Sequence, residues 1–168
     1  MGERGVFMKK KLVIGIVIGV LIFSVGSYFR PSTLLELFPM LTLDKCVKIS
    51  GDYRAGTQTE SAEFVFERDS KEFESLFAHF YWSTYKWNFK NLMPRGTRYG
   101  KTGPDDFQWN VYFAFEGVEF PDGSTGSGKM LRIQNWYGDL DIYFCGERYS
   151  CSVRNQDEWL EKALSKMQ

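Results

Sequence analysis

The chain is expected to fold as an α+β protein: an antiparallel sheet in ββαββββα order with two helices packed on one face, preceded by one N-terminal transmembrane helix. Three observations point there. Residues 107–116 alternate between Phe107, Trp109, Val111, Phe113, Phe115 and less apolar neighbours, the period of a strand with one buried face. Two capping-box spacings, Asp69 with Glu72 and Asn155 with Glu158, each open an apolar stripe of helical period. Residues 12–29 carry no charge at all.

Hydrophobic residues make up 43% of the chain and aromatic residues 17%, enough to fill a core, so disorder is not the starting expectation. The formal net charge is zero, but it is unevenly placed. Arg4, Lys9, Lys10 and Lys11 against Glu3 leave residues 1–11 about three charges positive and the remainder about three negative. A net-acidic body argues against nucleic acid as a partner.

Residues 1–11 therefore read as a basic cytoplasmic N-terminus. The eighteen uncharged residues 12–29 follow it at the length a spanning helix needs. Lysines before the apolar run place the N-terminus in the cytoplasm and everything after Arg30 outside, so the expectation is a signal-anchor in the cell membrane, crossed once. The competing reading is a cleavable signal peptide, because Ser24, Val25 and Gly26 offer small residues where a peptidase cuts, and cleavage leaves a secreted domain. Residues 30–42 read as a linker. Between Pro31 and Pro39 it holds a short capped turn, Thr33 to Glu36, expected to dock on the domain rather than lie in the membrane interface.

The extracytoplasmic domain is expected over residues 43–168. Leu43, Lys45, Val47 and Ile49 share one side of a first strand, and Ala62, Phe64 and Phe66 one side of a second. A helix starts near Ser70 with Phe73, Leu76, Phe77 and Phe80 on its apolar face. Residues 91–106 read as a long loop carrying Pro94, Gly96, Gly100, Gly103 and Pro104. After the strand at 107–116, shorter alternating runs at 130–136, 140–145 and 149–153 have connections short enough to force antiparallel pairing. A terminal helix carries Leu160, Ala163, Leu164 and Met167.

Several motifs lead away from chemistry. Residues 123–129 satisfy GxxxxGK, yet Met130 stands where a phosphate loop needs Ser or Thr, and Leu131, Arg132 and Ile133 look like a strand rather than a helix, so a hairpin loop is expected. His79 is the only histidine and the cysteines lack paired CxxC spacing, so neither a metal nor another cofactor is expected. On its helix flank His79 reads as a half-buried structural residue. Cys145 and Cys151 flank a short turn on the exported side, where a disulfide persists, and one bridge between them is the first expectation; Cys46 paired with either one, or three buried free thiols, are the alternatives.

The most unusual stretch is residues 79–101, rich in aromatics and bases and without an acid. If the helix runs on to Leu92, Tyr81, Trp82, Tyr85 and Phe89 form a second stripe that the sheet cannot cover; if it stops early, the aromatics join the core. The first case makes Tyr81, Trp82, Tyr85, Lys86, Phe89, Lys90, Arg95 and Arg98 a partner-binding surface, since Trp, Tyr and Arg dominate interface energy. The function expected is a membrane-anchored binding module rather than an enzyme. Its partners are the membrane, through residues 12–29, and another envelope protein or an anionic envelope polymer. The alternative is an envelope hydrolase or transferase using carboxylates near Asp105, Asp139 and Asp141.

Overall fold

The structure is a computed structural model, and it describes residues 3–28, 30–54, 61–87, 108–136, 139–145, 147–152, 160 and 162. Two compact units divide the chain, Met1–Arg30 and Pro31–Gln168.

The first unit is a single helix, α1 (Glu3–Tyr28). Its bulky apolar side chains between Leu12 and Val25 are exposed on every side, from 50% at Ile18 to 77% at Phe23. Among the described residues no helix is long and apolar enough to cross a membrane. The transmembrane helix expected over 12–29 is therefore not supported.

The second unit is α+β, as the alternating strands and capped helix predict. Its strands are β1 (Ser32–Thr33), β2 (Cys46–Arg54), β3 (Ala62–Glu67), β4 (Thr84–Trp87), β5 (Gln108–Glu119), β6 (Thr125–Trp136), β7 (Asp139–Phe144) and β8 (Glu147–Ser152). They form one sheet in the order β1-β4-β8-β7-β6-β5-β2-β3, every pair antiparallel. Two strands, β1 and β4, are absent from the predicted order. Each is short, and each is defined by a partner distant in sequence.

Helix α3 (Lys71–Trp82) begins where predicted, but Ser70 is the cap, its Oγ accepting from the Phe73 amide at 3.1 Å. The helix covers one face of the sheet. Phe80 sits 5.6 Å from Trp109 and 5.7 Å from Phe113, and Phe77 sits 6.1 Å from Phe113, ring centre to ring centre. Cross-strand register carries that buried face through Ile49, Phe113 and Leu131, and through Gly51, Val111, Ile133 and Ile142. Burying this apolar face is the main favourable term for the domain.

Residues 31–42 are no spacer between bodies. Thr33 and Glu36 make both bonds of the capping box on α2 (Leu34–Leu37), at 3.3 and 3.0 Å, and Leu34, Phe38 and Leu41 are buried in the core. Of the predicted terminal helix only positions 160 and 162 are described; both are helical and Leu160 is fully buried. The predicted loop 91–106 lies outside the described residues.

Candidate functional site

Helix α3 ends at Trp82, where the Ser83 amide and hydroxyl both donate to the His79 carbonyl at 3.2 and 2.6 Å. The continuation to Leu92 therefore does not occur, and two members of the expected partner surface turn inward. Tyr81 is 5% exposed and its hydroxyl donates to the Leu41 carbonyl; Tyr85, in β4, is 1% exposed and donates to the Phe80 carbonyl at 2.7 Å. Burial pushes the Tyr81 phenol up to about 12, with Asp44 and Cys46 adding to it. Trp82 stays 64% exposed and Lys86 is exposed. Phe89, Lys90, Arg95 and Arg98 lie outside the described residues.

The expected disulfide is not formed, because Cys145 is a free thiol. In the β7–β8 hairpin Cys151 stands opposite Leu140, five residues along the strand from Cys145. That is roughly 16 Å, where a bridge tolerates about 7 Å between Cα atoms. Cys46 is also free, fully buried in β2, and burial pushes its thiol up to about 12. His79 is half-buried, which pulls its imidazole down to about 4.

The carboxylates do not converge among the described side chains. Asp141 is 1% exposed on β7; register runs from it through Gln134 and Asn110 to Asp52, three strand spacings or roughly 14 Å away. Asn110 Nδ2 donates to Asp52 Oδ2 at 3.0 Å. Asp139 is two residues from Asp141 on the same strand, and Asp105 lies outside the described residues. Among the described residues no group of three or more His, Cys, Asp or Glu side chains is placed to hold a metal. The GxxxxGK segment is the β5–β6 turn and the start of β6, with Gly123 at a φ of 81° and the Phe120 amide donating to the Ser124 carbonyl at 2.9 Å. No helix follows it that could face a phosphate.

The sheet face opposite α3 holds the feature that sequence reading missed. On it Arg132 of β6 lies between two tyrosines, its guanidinium carbon 4.0 Å from the Tyr143 ring centre and 5.9 Å from that of Tyr112. Lys129 Nζ stands 4.9 Å from the same Tyr112 ring. A β-bulge at Met130 lets both cations share the face, since Ala114 pairs with Lys129 while Phe113 pairs with Leu131. Tyr112, Lys129, Met130, Arg132, Tyr143 and Cys145 line a groove of about 280 Å³. Beside it a second groove of about 340 Å³ runs over Ser50, Asp52, Glu63 and Val65, sharing Tyr112 and Lys129. Among the described residues the ion pair on this face is Lys48 with Glu67 at 3.4 Å, and no carboxylate pairs with Lys129 or Arg132.

The tyrosine faces attract the cations by their negative π-clouds. What remains available is the edge of Arg132 and the ammonium of Lys129, which suits recognition rather than bond-making. No protein-family model, no curated protein and no solved structure matches this chain.

Proposed function

We propose that this chain is a membrane-anchored binding module, crossing the bilayer once through residues 12–29 with its N-terminus in the cytoplasm, and binding an envelope component at the Tyr112–Arg132–Tyr143 groove on the sheet face opposite α3. The anchor reading rests on the full uncharged run of eighteen residues, about 27 Å as a helix against a hydrocarbon core of about 30 Å. A helix apolar on all sides belongs in an apolar surrounding, and Lys9, Lys10 and Lys11 before it set the orientation. The observation that carries the binding reading is the pair of cations, Lys129 and Arg132, held on tyrosine rings without a carboxylate among the described residues. Trp82, at the C-terminus of α3, and Lys86, in β4, are both exposed.

The test is recovery of the tagged full-length chain from cross-linked membranes. The chain should resist carbonate extraction and keep its full-length mass. Tyr112→Ala should lose the cross-linked partner while leaving the melting transition in place. A mature mass short of the first ~26 residues would replace the anchor by a cleaved signal. A partner retained by Tyr112→Ala but lost by Trp82→Ala would move the binding surface to the end of α3.

A further inference from the structure

Resting on the sheet face opposite α3 being the binding face, we infer that the groove between Tyr112 and Tyr143 takes the phosphoryl group of a polyol- or sugar-phosphate polymer. Two positive groups stand around one ring, Lys129 Nζ at 4.9 Å and the Arg132 guanidinium at 5.9 Å, and among the described residues neither has a carboxylate partner. Like charges around one ring repel, and an anion that reaches both removes that cost. Among the described residues the buried Arg132 Nε has no acceptor, a donor that an incoming oxygen would satisfy.

The shape of the cationic group selects the anion. The Arg132 guanidinium carbon stands 4.0 Å from the Tyr143 ring centre, and a guanidinium recognises anions with a fork of parallel N–H donors. A planar carboxylate is filled by that fork alone. A tetrahedral phosphoryl group keeps a further oxygen for Lys129, which acts on it as a point charge. The groove, about 280 Å³, suits one phosphorylated unit rather than a folded partner, and Met130 and the tyrosine rings give the carbon skeleton something apolar to lie on. An extended polymer can place one such unit here and continue over the neighbouring groove beyond Lys129.

Cys145 makes the site observable, because its exposed thiol lines the same groove while Cys46 is buried. The full chain in a non-ionic detergent is treated with iodoacetamide, and labelling of the Cys145 peptide is followed by mass spectrometry. The probes are sn-glycerol 3-phosphate, D-glucuronate, glycerol and phosphatidylglycerol vesicles, all at one ionic strength. Glycerol phosphate should slow the labelling severalfold, glucuronate should do so only at higher concentration, and glycerol should leave it unchanged. Arg132→Gln should weaken the protection by roughly tenfold or more, the scale of a lost charge-assisted pair, and Arg132→Lys should recover part of it. An unchanged melting transition shows that the variants are folded. Labelling indifferent to glycerol phosphate, or slowed equally by glucuronate, would overturn the assignment. Slowing by the vesicles without slowing by the soluble ester would overturn it in favour of a lipid headgroup. If protection fails while Tyr112→Ala still loses the cross-linked partner, the binding module stands and the phosphoryl site falls.

Discussion

The phenol of Tyr81 donates to the backbone carbonyl of Leu41, tying the last turn of α3 to the segment that leads into the sheet forty residues earlier. Both groups are inside, so losing one leaves the other unsatisfied. Tyr81→Phe should cost about 1–2 kcal/mol of unfolding free energy, readable by urea titration. Trp82→Ala, one residue on but 64% exposed, should stay within about 0.5 kcal/mol of the parent. Equal losses at the two positions would mean that Tyr81 does not face the core.

The same pair shows where sequence pattern stopped being informative. The start of α3 is legible because a cap and an apolar stripe are local signals. Its end is not, because Tyr81 and Tyr85 at a spacing of four fit a helical stripe as well as they fit the observed break at Ser83. What turns Thr84 and the three residues after it into a strand is pairing with Ser32 and Thr33 on one side and Cys151 and Ser152 on the other, none of them near in sequence. β3 was readable to its ends, since a short alternating run bounded by turn residues has few alternatives. The site on the face opposite α3 was hidden for a different reason. Tyr112, Arg132 and Tyr143 come from three strands and only the cross-strand register brings them together, while the bulge at Met130 adds Lys129 to the same face. The alternation of residues 107–116 marks Tyr112 as facing away from the core; it cannot say what stands beside it.

Gly51 is the tightest backbone position in the sheet. A Cβ there would strike the Asn110 carbonyl oxygen and the Phe64 ring, which lies over the glycine from the paired strand. Gly51→Ala should therefore destabilise by about 2–3 kcal/mol or prevent folding, the usual scale of overpacking. Gly117 is the control. It has a φ of 60° with open space where a Cβ would go, so Gly117→Ala should cost only the strain of that conformation, about 1 kcal/mol. Chemical denaturation of both variants checks the order, and a milder effect at Gly51 than at Gly117 would contradict the close approach of β2 and β5.

The thiols should differ sharply in reactivity although neither described one is bridged. In native protein at pH 8, Cys145 is accessible and Cys46 is not, the latter held protonated by burial with its thiol near 12. Brief alkylation followed by peptide mapping should mark Cys145 and spare Cys46 until denaturant is added. A peptide pair joined through Cys145 and Cys151 in unreduced protein would contradict the register of β7 and β8.

His79 should make the fold sensitive to mild acid. Burial lowers its imidazole from 6.5 to about 4, so between those values the unfolded chain binds a proton that the folded chain refuses. Above pH 6.5 both states are neutral and the residue contributes nothing to the pH dependence. As pH falls from 6.5 to 4 the unfolded state gains, and stability drops through that window. A shift of that size would give about 3 kcal/mol for a fully sequestered group; with the ring partly reached by solvent, about 1–2 kcal/mol is expected. Carboxylates titrate in the same range, so the informative quantity is the difference between parent and His79→Gln. Urea unfolding at pH 7.5 and pH 4.5 should show the parent losing more stability than the variant by that amount. An equal loss in the two proteins would mean that His79 titrates alike in the folded and unfolded chains, and that its flank of α3 is open to water.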